Sequence, residues 1–149
     1  MSFKSQENNM RRLADLLSRD LSYIFGDRET GPNGDKRVFL NTGKTFLRTL
    51  GKDLGLRDVK VIANPGGIAV SGDCTLYGMW EDSGIFIQIS QPCYQRQNVL
   101  LFRSIRSLKD HKGGYNRYIS LNELAVRSYP WLLAELNDLR KDVAYERAA

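Results

Sequence analysis

Ten residues from Lys109 to Tyr118 (KDHKGGYNRY) hold the densest set of chemically capable side chains in the sequence. Lys109, His111, Lys112 and Arg117 supply basic groups, Asp110 an acid, Tyr115 and Tyr118 rings, and Asn116 an amide, around the pair Gly113-Gly114. Adjacent glycines let a backbone reach positive φ and come close to a ligand. Lysine and arginine attract phosphate, and a tyrosine face can stack on a base. The same composition also suits a solvated turn that Tyr115 and Tyr118 anchor to the core. His111 beside Asp110 offers a general base, which is the enzymatic reading of this loop. Neighbouring residues point in different directions in most backbones, and no motif supplies a serine or a second carboxylate. A binding loop therefore stands ahead of an active site, and no catalytic residue is assigned.

Three other patterns bear on chemistry. Asn41-Thr42-Gly43-Lys44-Thr45 ends like a phosphate-binding loop, but that motif needs glycine where Val38 stands and a buried strand ahead of it. The segment reads instead as the start of a helix capped by Thr42. Lys44, Arg48 and Lys52 follow one another at four-residue steps, so a helix places them in one basic stripe. Such a stripe is commonly the wet side of an amphipathic helix; the scarcity of nearby acids makes it a candidate contact surface. Tyr77, Met79 and Phe86 occupy alternate strand positions and could stack bases, though core packing is the expectation favoured for them. Cys74 and Cys93 with one histidine cannot furnish four zinc ligands, and two buried thiols are favoured over a disulfide. No metal site and no cofactor are expected.

The elements that must position these groups follow from periodicity. Met10, Leu13, Leu16, Leu17, Leu21, Ile24 and Phe25 recur at helical spacing and predict a helix over about 7–25. Residues 26–37, including DRETGPNGD, form a polar loop expected to be flexible. A second helix is expected over about 42–54, ending at Gly55. Short β-rich runs follow at Val59–Ala63, Ile68–Ser71, Cys74–Trp80, Ile85–Ser90 and Val99–Ser107, with glycine turns between them. Connections so short imply antiparallel pairing. Ser120 and Glu123 have the spacing of a capping box, and Pro130 opens a last helix running to about 145. The fold class expected is α+β: one domain over 1–149, a four- to five-stranded antiparallel meander packed by N- and C-terminal helices in the order α-α-β-β-β-β-β-α-α.

Composition narrows the class. The 149 residues are 42% hydrophobic and 26% charged, enough for a core and unlike a disordered chain. No run approaches the roughly 20 apolar residues of a membrane helix, and the first residues lack the apolar stretch of a secretory signal, so a cytoplasmic protein is expected. The net charge of +5 is concentrated. Residues 36–60 carry seven basic and two acidic residues, residues 96–117 six basic and one acidic, and the remainder is mildly acidic. The second segment contributes Arg103 and Arg106 besides the loop just described. Were both segments to face one way, they would form a surface able to neutralise several phosphates.

The stretch Gly66-Gly67-Ile68-Ala69-Val70-Ser71-Gly72-Asp73, then Leu76-Tyr77-Gly78-Met79-Trp80 and Gly84-Ile85-Phe86-Ile87-Gln88-Ile89, Leu101-Phe102-Arg103, Lys109-Asp110 and Gly113-Gly114-Tyr115-Asn116, resembles a small domain associated with large polyvalent proteins of phages and conjugative elements. The resemblance covers residues 57–126; it implies a mobile-element setting and carries over no catalytic residue. The leading expectation is a non-enzymatic binding protein of a phage or mobile element, acting in the host cell on nucleic acid or a nucleoprotein complex. The binding groups expected are Lys44, Arg48, Lys52, Arg103, Arg106, Lys109, His111, Lys112, Tyr115, Asn116 and Arg117. The alternatives are a protein-binding inhibitor of a host defence complex (anti-restriction or anti-CRISPR type) meeting an acidic protein surface, and an enzyme acting at the 109–118 loop.

Overall fold

The structure is a computed structural model and describes residues 2–19, 34–66, 71–91, 97–110 and 114–141. Two helices come first, α1 (Phe3–Leu17) and α2 (Asp35–Asp53). Four strands follow: β1 (Arg57–Asn64), β2 (Asp73–Met79), β3 (Gly84–Ser90) and β4 (Asn98–Ile105). The described elements end with β5 (Arg117–Ser120), α3 (Leu121–Val126) and α4 (Tyr129–Asn137). The α+β class and the element order are as the sequence predicts.

α1 starts at Phe3, earlier than periodicity suggests, because Ser2 caps it by accepting a hydrogen bond from the Ser5 amide. It ends at Leu17, short of the expected 25; residues 20–33 lie outside the described residues. α2 begins seven residues before the expected start, directly after Gly34 at φ 55°. Residues 35–37, expected in the flexible loop, are thus its first turn. Phe39 and Leu40 bury on the same side as Phe46, Leu47 and Leu50 and extend the apolar face toward the N-terminus. Thr42, read as a cap, consequently sits in mid-helix.

The strands form one antiparallel sheet in the order β1-β2-β3-β4-β5. The expected strand at 68–71 lies almost wholly outside the described residues; β1 pairs directly with β2, Asn64 opposite Asp73. The fifth strand is β5 instead. It has four residues with Ile119 alone buried, too short to show alternation in the sequence.

Among the described residues, helices cover one face only. Val61, Cys74, Leu76, Ile85, Ile87, Ile89, Leu100, Phe102 and Ile119 point toward them and join the core cluster. α2 lies tight on β1 and β2: a side chain at Gly43 would meet Cys74, and one at Gly51 would meet Val59 and Leu76. α1 packs on α2, α3 and α4. At the end of the sheet where Trp80 donates its indole N–H to the Leu54 carbonyl (2.7 Å), buried Tyr129 of α4 donates to Asp53 (2.6 Å) and accepts from Gln6 of α1 (3.2 Å). No helix among the described residues is long and apolar enough to cross a membrane.

Candidate nucleic-acid interface

Side chains alternate across a strand, so each residue between the inward ones projects from the opposite face. The register assembles those outward residues into rows. Lys60, Tyr77, Phe86 and Arg103 lie side by side across β1, β2, β3 and β4. The adjacent row holds Ile62, Thr75, Gln88, Leu101 and Tyr118 across all five strands. None of Ile62, Tyr77, Phe86 or Leu101 belongs to the core cluster or packs against it. The core packing favoured from the sequence for Tyr77 and Phe86 is therefore corrected: Gly43 and Gly51 seat α2 on the Cys74–Leu76 side, leaving the two rings on the other.

The rings of Tyr77 and Phe86 are 4.8 Å apart at 47°, a cross-strand aromatic pair. The Arg103 guanidinium stands over Phe86 at 4.9 Å from the ring centroid, within cation–π range. Its Nη1 is buried and makes no hydrogen bond, and among the described residues no carboxylate pairs with this arginine. Lys60 closes the row on the other side and is exposed. Tyr118, 46% exposed, stands two strands from Phe86 in the next row. The acids near this face sit at its margins: Asp73 accepts from Gln88 (3.2 Å), and Asp58 is held by Arg57 (2.8 Å). At the far end Met79 and Ile105 close over the bare Cα of Gly84, where an added methyl would collide with both and with the Gly78 carbonyl. They are buried outside the main core. The centre of the face is thus a half-buried aromatic pair with a guanidinium that no described carboxylate pairs, bordered by lysine and tyrosine.

The residues expected from the sequence are dispersed around this centre. Arg103 is in it. Arg106 and Lys109 are exposed in the turn after β4, where Asp110 accepts from the Arg106 amide (2.9 Å). Tyr115, 87% exposed, and Asn116 lead into β5. Arg117 points to the helix face, where it stacks on Phe102 and reaches Glu135 of α4 (3.8 Å) and the residue that caps it, Asp138 (3.6 Å); those contacts tie it to the fold. His111 and Lys112 lie outside the described residues. Lys44 is half-buried, while Arg48 and Lys52 are exposed, on the helix layer over β1 and β2. The two basic segments therefore do not converge on one face: α2 lies on one side of the sheet, and Arg103 projects from the other, about 14 Å away across three strand spacings.

Lys60, Gln88 and Leu101 of the face were not among the binding groups expected from the sequence, and Tyr118 was read there only as a ring of the 109–118 loop. The signal was present in β3, where Phe86 and Gln88 alternate with three buried isoleucines. Among described residues no group of three or more histidine, cysteine or acidic side chains converges as a metal site would. No family model, no curated protein and no solved structure matches this chain.

Proposed function

We propose that this chain is a non-enzymatic binder of single-stranded nucleic acid and that it uses the helix-free face of its sheet. The observation that carries the reading is the Tyr77–Phe86 pair with the Arg103 guanidinium over it, all three outside the main core cluster. Stacked bases find π-faces there, and a phosphate between them finds a guanidinium with one nitrogen already out of water and, among the described residues, no carboxylate to displace. Duplex DNA offers no unstacked base to such a flat platform. The resemblance over residues 57–126 supports a phage or conjugative-element setting and action inside the host cell.

Fluorescence anisotropy with labelled oligo-dT and oligo-rU of about 12 nucleotides, within the site sizes of known single-strand binders, tests the reading. Affinity should fall as salt rises. Phe86→Ala should weaken binding about 5- to 150-fold, the range for one base–aromatic stack. Arg103→Gln should lower the log–log salt slope by about one. Phe86→Leu keeps the packing while losing the ring, so it separates lost stacking from lost fold. No binding at micromolar protein, or binding that Phe86→Leu leaves unchanged, refutes the proposal.

A further inference from the structure

β1 is eight residues long and, among the described residues, is the outer strand of the sheet and pairs with β2 alone. Most of it is exposed, including Val59 (38%) and Ile62 (40%). Its register slips between Arg57 and Lys60, where Asp58 takes φ 56°; from Lys60 to Asn64 the pairing is regular. An outer strand of this kind presents a row of N–H and C=O groups to a further strand. The opposite border, β5, has four residues and runs straight into α3.

Charge decides what that further strand can be. Phe46 and Asp53 mark the side of α2 that meets α1 and α4, through Gln6 and Tyr129. At 100° per residue, Lys44, Arg48 and Lys52 fall on the contrary flank, above the β1 border. Among the described residues none of the three pairs with a carboxylate, and neither does Lys60, which projects from the other face of β1. α2 also runs along β1 in the reverse direction. Gly43 sits on Cys74, the partner of Ala63, and Gly51 sits on Val59. The rises agree, because eight helical residues cover about 12 Å and four strand residues about 13 Å. A four-residue helical step, about 6 Å, therefore matches the two-residue repeat of a strand, about 6.7 Å. A strand laid beside β1 would bring alternate side chains under Lys44, Arg48 and Lys52 in turn, and the intervening ones toward Lys60.

We infer that the β1 border accepts an extended acidic peptide segment of a partner protein as a sixth strand. Backbone hydrogen bonds would supply the pairing, and carboxylates at alternate positions would meet the α2 stripe. A second copy of this chain is disfavoured there, since antiparallel pairing of two β1 strands would press Arg48, Lys52 and Lys60 of both against one another.

The test uses a labelled peptide of alternating Glu and Val, about eight residues to match β1. The full chain should bind it, with affinity falling as salt rises, and the β1 amides should gain protection from hydrogen exchange. Arg48→Glu with Lys52→Glu, both exposed, should weaken binding about tenfold or more. The same peptide with every second amide N-methylated should not bind, because it keeps the charge and loses the ladder. Phe86→Leu should leave peptide binding unchanged, which separates this border from the nucleic-acid face. Equal binding of the N-methylated peptide, or displacement of the peptide by oligo-dT with the same protection of β1 amides, would overturn the inference.

Discussion

A methyl group added at Gly43 would lie 2.6 Å from Cys74 Sγ and 3.2 Å from its Cβ. Both atoms are in the core, so relief needs movement of α2 or of β2. Gly43→Ala is expected to cost about 1–3 kcal/mol of stability, read by denaturant unfolding. Combining it with Cys74→Ala frees the space, so the double variant should be more stable than the sum of the single effects implies. The thiol itself gives a pH signature. Burial, reinforced by nearby Asp73 and opposed by Lys44, pushes Cys74 from 9.0 up to about 12. A group whose folded pKa is raised contributes stability that is intact below its unfolded pKa and is lost as pH climbs toward the folded one. Stability should therefore decline between about pH 9 and 12. Cys74→Ala should flatten the beginning of that decline. Tyr129, also raised by burial and by its hydrogen bond to Asp53, acts in the same sense from about pH 10, and that later part should persist in the variant.

Among the elements, α3 depends most on its cap, having only six residues. The Ser120 hydroxyl accepts from the Glu123 amide (3.1 Å), and the Glu123 carboxylate accepts from the Ser120 amide (3.0 Å). Ser120→Ala should cost about 1 kcal/mol and Ser120→Gly only a few tenths, in thermal or denaturant unfolding. That cap was legible in the sequence because its whole geometry is set within four residues. The alternation of β3 was legible for the same reason. The start of α2 was not, because polar residues up to Asp35 hide an apolar face that only Phe39 and Leu40 disclose. β5 was not, since its one inward residue, Ile119, makes no pattern. For the site, the alternation of Tyr77 and Phe86 was plain, yet both faces of β2 carry apolar side chains: Cys74 and Leu76 on one, Tyr77 and Met79 on the other. Which face the helices take depends on Gly43 and Gly51 allowing close approach, an effect that exists only between elements. The separation of the two basic segments is equally invisible along the chain.

At the scale of the molecule, each described strand pairs with its neighbours in sequence, whereas α1 is joined to α4 by Gln6 and Tyr129 across 123 residues. Local pairings close short loops, and the α1–α4 contact must close almost the entire chain. In pulse-labelled hydrogen exchange during refolding, amides of β2, β3 and β4 should become protected before those of α1. Simultaneous protection would show a single concerted nucleus instead. The one-sided covering of the sheet has a consequence for descent. Selection for a stable core acts on Ile85, Ile87 and Ile89 but hardly on Thr75, Gln88 or Leu101, their neighbours on the reverse side. Those positions can drift without unfolding the protein, so point mutation alone can remake the chemistry of that surface across a lineage while the scaffold beneath it stays intact.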